Sequence, residues 1–528
     1  MTPPDQPPAR GHAGASTVIG LLTVGAALAA AEVAGYFTGQ ATTPVDATGS
    51  AVISLSPAPL KEFFIQRLGT HDKPLLVIGV LVVLLLLSVL AGHLALRRLR
   101  AGVGLVAAIG VVGAAAAVTG PASGPSSLLP SLVGTVAAVA VLRWLVPLYR
   151  RTVGTRRAAY DAVQPVPEAA PRLPDPDRRR FLAVSAGTAA AAALVGFGAD
   201  KLASEKYAVT SARGAVRIPR PARLAATPAG LHPDVPGLEP FFSPNDSFYR
   251  VDTALVLPQV DPSAWTLKIT GMVDRPVEIT YDQLLRRSLE QHDMTLSCVS
   301  NPVGGPYVGN ARWVGAMLAP LLREAGIHSG ATQLLATSTD GMTVGTPLES
   351  VLDGRAALLA VAMNGAPLPV QHGFPCRVLV PGFYGYSSAC KWVTQLQVTT
   401  YQNVVPYWVQ QGYAEIGTMK IASQISVPAS GQVAAGPVTV AGIAWATHRG
   451  IAAVELRVDN GPWRPARIAA QDTPDTWRQW SYDWQATPGS HTLQVRATDD
   501  SGAVQTSAQA QPFPSGATGW HTIAVNVT

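Results

Sequence analysis

Thr295-Leu-Ser-Cys-Val-Ser-Asn-Pro-Val-Gly-Gly-Pro-Tyr-Val-Gly-Asn-Ala-Arg-Trp-Val-Gly315 is dense in glycine, aromatic residues and isolated polar groups, and it does not fit plain core. Cys298 stands alone in this glycine-rich loop after a strand-like run. A thiol so placed serves as a nucleophile, as a metal ligand through its thiolate, or as a small buried hydrophobe. No His or Cys stands at zinc spacing from it, which counts against a zinc site. With Cys376 and Cys390 the chain has three cysteines, too few to staple 528 residues.

A second segment of the same character follows at His372-Gly-Phe-Pro-Cys-Arg-Val-Leu-Val-Pro-Gly-Phe-Tyr-Gly-Tyr-Ser-Ser-Ala-Cys-Lys-Trp392. Its cations stand singly where loops meet strands, which suits gripping an anionic group such as a phosphate. Around both segments, short apolar runs (Trp265 to Ile269, Gln333 to Ala336, Arg377 to Val380, Val393 to Val398) alternate with helical stretches (Tyr281 to Ser288, Gly315 to Ala325). That mixture predicts an α+β or α/β domain over 241–422. From 423 to 528, strand patterns such as Val438 to Ala446, Ile451 to Val458 and His491 to Ala497 are separated by Asn-Gly, Pro-Gly and Asp-Ser-Gly turns, without a helix. They predict an immunoglobulin-like β-sandwich.

The first 200 residues are of another kind. They hold 16 basic and 10 acidic side chains, against 23 of each in 201–528, so the net charge of +6 lies entirely in this part. The basic residues fall in short clusters between apolar runs, not on a folded patch with interleaved aromatics, which excludes a nucleic-acid-binding protein. Apolar stretches at about 16–37, 74–96, 101–119, 128–148 and 181–199 are each long enough to cross ~30 Å of hydrocarbon. Arg97, Arg98 and Arg100 follow the second, and Arg150, Arg151, Arg156, Arg157, Arg172 and Arg178 to Arg180 lie between the fourth and fifth. The positive-inside rule then gives a cytoplasmic N-terminus, five crossings and an extracytoplasmic remainder. In the first outer loop, Leu60 to Leu68 reads equally as a short amphipathic interfacial helix or as plain loop. Asp177-Arg-Arg-Arg-Phe-Leu182 looks like a twin-arginine export signal, which carries folded, cofactor-loaded domains. Residues 201–240, rich in Pro, Ala and Arg, read as an extended linker.

Taken together, Cys298-Val-Ser-Asn301, the run from Asn364-Gly-Ala-Pro-Leu-Pro369 through His372-Gly-Phe-Pro-Cys-Arg377, Pro381-Gly382 with Lys391-Trp392, and the C-terminal sandwich occur in one order. In that order they resemble the sulfite oxidase family of molybdopterin enzymes, over about 241 to 528. The resemblance implies a molybdenum-molybdopterin cofactor with Cys298 as the protein ligand to the metal. It implies that Asn245, Tyr249, Arg250, Asp340, His372, Arg377 and the Ala389-Cys390-Lys391 stretch hold the dithiolene and pterin phosphate. It places Tyr413 beside the metal, gives Arg250 a share in recognising a substrate anion, and makes the sandwich a dimerisation domain. A free thiol and a twin-arginine signal both accord with this, because a soft metal takes a thiolate and a folded cofactor protein is exported whole. Cys376 and Cys390 read as packing residues.

The departures bear on substrate. Sulfite-oxidising members place one arginine shortly after the metal-binding cysteine and another near the end of the sandwich. Here Val299-Ser-Asn-Pro302 and Pro514-Ser-Gly-Ala-Thr-Gly519 contain no basic residue. Fewer positive charges weaken the grip on a dianion and leave room for a neutral or organic substrate. No Cys-x-x-Cys-His is present, and His12, His71 and His93 do not form the interior pair a b-type heme needs, so a separate cytochrome or quinone-linked carrier is expected to take part. A quinone site near Glu32 is a weak candidate. The expectation is a membrane-embedded, extracytoplasmic oxidoreductase moving an oxo group to or from a small sulfur or other heteroatom substrate. Its rivals are an S- or N-oxide reductase on the same scaffold and a metal-free membrane receptor or scaffold.

Overall fold

The computed structural model describes residues 11–38, 43–68, 72–119, 125–161, 176–429 and 431–528. The N-terminal helices are α1 (Gly11–Thr38), α2 (Pro44–Leu55), α3 (Ala58–Leu68), α4 (Asp72–Arg97), α5 (Leu99–Thr119), α6 (Leu129–Asp161) and α7 (Pro176–Tyr207). Among the described residues of this part, five stretches are long and apolar enough to cross a membrane: Gly14–Thr38, Lys73–Arg97, Leu99–Val118, Ser126–Arg151 and Arg179–Ala199. The chain divides into two compact units, one of residues 1–56, 70–208 and 253–256, the other of residues 57–69, 209–252 and 257–528.

In the first unit α1 packs against α4, α6 and α7. The backbones approach closely because the contact positions are small: a Cβ on Gly20 would meet the Ser88 carbonyl of α4, and one on Gly92 would meet the Ser16 carbonyl of α1. The opposite face of α4 leaves Ile78, Val82, Val83 and Leu86 exposed, a surface that hydrocarbon tolerates and water does not. Arg150 of α6 donates to the Ala95 and Leu96 carbonyls at 3.2 and 2.9 Å, closing the C-terminal end of α4 with a cation. Of the basic residues between the fourth and fifth apolar stretches, Arg172 lies outside the described residues, as do the side chains of Arg156, Arg157 and Arg178.

The second unit holds four sheets. In its first part the strands are β1 (Thr266–Gly271), β2 (Val277–Thr280), β3 (Leu289–Ser297), β4 (Val308–Met317), β5 (Gln333–Ser338), β6 (Thr343–Pro347), β7 (Leu358–Met363), β8 (Ala366–Pro367), β9 (Arg377–Leu379) and β10 (Val393–Thr399). One sheet runs β2-β1-β10-β5-β6, the other β3-β4-β7-β8 with β9 also on β7. Among the strands of these two sheets only β1 and β10 pair in parallel. Leu267, Ile269, Leu334, Leu396, Leu359 and Val361 join the helix Leu318–Ala325 in a core shared by both sheets. Met294, Leu296, Trp313, Leu358 and Ala360 form a second core on the other face of β3, β4 and β7, with Phe248 and Phe374. β7 is thus covered on both sides, and its sequence is accordingly a continuous apolar run without alternation.

Three local readings change. The helix expected from Gly315 begins at Leu318, because Gly315 to Met317 finish β4; a Cβ on Gly315 would strike the Leu359 carbonyl of β7, so the glycine serves strand approach. The helix expected to Ser288 ends at Leu285, opened by a capping box between Thr280 and Gln283 and followed at once by β3. The 201–240 stretch is not a free linker: α7 runs to Tyr207, Arg213 donates to the Leu368 and Pro367 carbonyls at 2.7 Å, and Leu231 and Leu238 are buried.

The last part is a sandwich, as its turns predicted. Strands β11 (Ala422–Val427), β13 (Gly436–Trp445), β17 (Arg478–Ala486) and β16 (Arg467–Ile468) make one sheet. The other is β12 (Gly431–Val433), β19 (His521–Val527), β18 (Gly489–Asp499), β14 (Ile451–Val458) and β15 (Arg464–Pro465). Val440, Trp480, Val454, Leu456, Leu493 and Val495 fill the space between them.

Candidate active site

β3 and β4 form a hairpin whose last pair is Ser297 opposite Val308, so Cys298 is the first residue beyond the ladder. Its N–H donates to the Tyr307 carbonyl at 2.9 Å, while Asn301 donates its N–H to the Cys298 carbonyl at 3.1 Å. The Asn301 side chain accepts the Tyr307 N–H at 2.9 Å. That is the physical content of the Cys-x-x-Asn spacing: the asparagine staples the loop and fixes the thiol. Gly304 has φ of 73°, and the place of its missing Cβ is taken by the His521 ring, so no other residue fits there without displacement. Cys298 is partly exposed, whereas Cys376 and Cys390 are buried and burial pushes both thiols far up, as packing residues require.

A cationic basin surrounds His372. His372 is 2% exposed and its Nε2 is 3.0 Å from the Asn245 carbonyl. A carbonyl only accepts, so Nε2 carries the proton and Nδ1 is left as an acceptor. Burial first, then Arg377, holds the His372 pKa down to about 4, with Lys391 and Arg250 adding to the effect, so the imidazole is neutral. Arg377 is 5% exposed. Its Nη1 donates to the His372 carbonyl at 3.1 Å and its guanidinium lies 5.2 Å from the Trp313 ring centre, but its buried Nε has no partner. Burial lowers the Arg377 pKa to about 10. The Tyr249 hydroxyl is pushed up by burial and by Cys298, and down by Arg377. Asn245 donates to the Met363 carbonyl at 3.2 Å and accepts from Asn364 at 2.9 Å.

The sequence reading missed Asp252. Its side chain, 4% exposed, receives Arg250 Nε at 2.8 Å and Lys391 Nζ at 2.7 Å. Arg250 and Lys391 therefore share one carboxylate, and three cations against it leave the basin with a net positive charge. Lys391 also donates to the Gln371 carbonyl at 3.3 Å. Ala389 and Cys390 are tied by backbone bonds, Ala389 N–H to the Gly385 carbonyl and Val378 N–H to the Cys390 carbonyl, each at 2.9 Å. Asp340 accepts the Met342 N–H at 3.2 Å in the turn after β5 and contributes to raising the Cys390 thiol.

Next to Cys298 in the chain, Val299 belongs to an aromatic wall. Tyr413 is buried against Trp408, Tyr386 and Phe513, with ring centres 5.1, 5.5 and 5.1 Å away. Tyr384, also in this wall and not foreseen, has its hydroxyl pushed up to about 12, mainly by burial, with Cys298 contributing. The 514–519 stretch without a basic residue receives one from elsewhere: Lys420 donates to the Gly516 carbonyl at 2.6 Å and lies 3.3 Å from Ser515 Oγ. A Tyr384 or Lys420 carries no periodicity signal, so only the fold reveals its place.

The residues fit a molybdopterin cofactor. Among the described residues no three His, Cys, Asp or Glu side chains converge, so a metal at Cys298 needs its other donors from a bound group, as a dithiolene supplies. The unsatisfied Arg377 Nε calls for an anionic acceptor, as a phosphate supplies.

Fold and site thus define a molybdopterin-binding oxidoreductase domain followed by a sandwich. The profile described as "Oxidoreductase molybdopterin binding domain" matches residues 254–407, and "Bacterial Ig domain" matches 422–495. The oxidoreductase YuiH of Bacillus subtilis is 30% identical over 153 residues, 29% of this chain and 74% of that protein. Mitochondrial sulfite oxidase of Drosophila melanogaster is 30% identical over 295 residues, 46% of this chain and 50% of that protein. That of Mus musculus is 28% identical over 317 residues, 51% of this chain and 58% of that one. The sulfane dehydrogenase SoxCD structure from Paracoccus pantotrophus aligns with a TM-score of 0.49 at 24% identity, covering 55% of this chain and 84% of that one. The chain belongs to the sulfite oxidase family of molybdopterin-dependent oxidoreductases. It spans about half the length of the sulfite oxidases it matches.

Proposed function

We propose that the chain is a membrane-embedded, extracytoplasmic molybdenum-dependent oxidoreductase that moves an oxo group to or from a small sulfur or other heteroatom substrate. The observation that carries this reading is the partly exposed Cys298, followed at once by Val299 of the aromatic wall, together with a buried guanidinium whose Nε is unsatisfied. When bound, the molybdenum-molybdopterin group supplies two-electron oxygen-atom chemistry. Cys298 holds the metal. Arg377, His372, Lys391, Arg250, Tyr249, Asn245, Asp340 and the Ala389–Lys391 backbone hold the pterin and its phosphate, with Asp252 fixing Arg250 and Lys391. Neutral His372 offers Nδ1 as an acceptor, and Tyr413 offers its hydroxyl to substrate.

The aromatic wall favours a sulfur centre carried on an organic substituent over a bare dianion, and so keeps an S-oxide reductase as a second reading. Residues 1–200 are the membrane region with five crossings, 241–422 the catalytic domain and 423–528 a dimerisation domain. The arginine bias supports this orientation, and a separate cytochrome or quinone-linked carrier exchanges electrons with the site. Cys298→Ser is expected to abolish turnover while leaving the thermal melt of the protein in place; retained activity overturns the assignment. Ferricyanide with sulfite, set against reduced dye with a sulfoxide under anaerobic conditions, separates oxidase from reductase.

A further inference from the structure

α3 lies in the chain before four of the five candidate spans, yet it belongs to the same compact unit as the site. Lys61, 8% exposed, donates to the Tyr407 hydroxyl at 3.0 Å and to Gln411 Oε1 at 3.1 Å. Its ammonium also lies 5.3 and 5.6 Å from the Tyr407 and Trp408 ring centres. Among the described residues it has no carboxylate partner, so these four contacts are what answer a buried charge. Phe63 and Phe64 of the same helix are exposed, whereas Lys61 engages the turn. The turn in question, Tyr407 to Tyr413, closes on itself, since Tyr413 N–H donates to the Trp408 carbonyl at 3.1 Å and the two rings meet edge to face at 5.1 Å.

We propose that Lys61 is a positioning residue for the substrate site: from the membrane-proximal part of the chain it pins the Tyr407–Tyr413 turn and, through Trp408, sets the Tyr413 ring. This rests on the reading of Tyr413 as a substrate contact. Lys61 does not touch the reacting atoms. Its loss leaves Cys298 and the cationic basin intact and loosens the aromatic wall, so substrate binding suffers more than turnover. A site completed in this way exists only while α3 is docked.

Two measurements on the full chain in its membrane test it. A photoreactive benzophenone side chain at position 61 is expected to cross-link to the 407–413 peptide, read by mass spectrometry; cross-links confined to other segments overturn the docking. Lys61→Met, which keeps the apolar stem, is expected to raise KM about tenfold with kcat within about twofold, and Lys61→Arg to restore KM to within about threefold. Parental KM in Lys61→Met overturns the positioning role. If that variant does not accumulate, Gln411→Leu carries the kinetic test, with a KM rise of about threefold expected and an unchanged KM overturning it. A chain without turnover on any substrate defeats the reading of Tyr413, and the cross-link then decides the docking alone.

Discussion

A guanidinium 5% exposed, with its Nε lacking a partner, is costly to keep folded, because a buried cation loses several kcal/mol of hydration that contacts must return. Arg377 recovers part of this from the His372 carbonyl and the Trp313 ring, and the rest awaits an anion. Arg377→Met is therefore expected to have opposite effects on two readouts. Molybdenum and pterin per chain should fall at least about tenfold, since a charged hydrogen bond to phosphate is removed. The melting temperature of the cofactor-free chain should hold or rise, since an uncompensated buried charge is removed with it. Cofactor content equal to the parent would show that the anion is held elsewhere. Cys298, His372, Arg377 and Lys391 stood out in the sequence because their motifs occur in a recognisable order. Asp252 did not, although it stands two residues from Arg250, because a carboxylate beside a cation looks like surface charge until both are seen buried.

At the scale of elements, β3 is the strand on which the two parts of the second unit meet. Thr295 N–H donates to the Asp475 carbonyl at 2.9 Å and Thr295 Oγ1 accepts the Trp477 N–H at 2.7 Å. Beside them Asp293, held by Arg312 at 2.7 Å, faces Asp472. Burial, reinforced by the Asp293 carboxylate, pushes the Asp472 pKa up to about 7. A folded pKa above the unfolded value of about 3.9 means that the stability tied to the bound proton is full at low pH and lost as pH rises through 7. Asp472→Asn should thus raise the melting temperature by a few degrees at pH 8 and by little at pH 4, in calorimetric scans at the two pH values. An equal shift at both would contradict it. Strands β14 and β18 were legible because one face meets solvent, the pattern alternates and Asn-Gly, Pro-Gly and Asp-Ser-Gly turns bound them. β4 and β7 were not, because both of their faces are covered and the alternation disappears.

At the scale of the whole molecule, the apolar surface of α4 and its neighbours suits hydrocarbon, and the protein is expected to stay with the membrane through an alkaline carbonate wash and to leave it only in detergent. Release by carbonate would reduce these helices to a peripheral anchor. The contact between Lys61 and Tyr407 also constrains how the chain threads a bilayer. Two groups that touch lie on one side of it, so the number of crossings between them along the chain must be even, whichever way the first helix enters. Among the described residues the candidate spans between Lys61 and Tyr407 number four, and parity is met without appeal to the arginines.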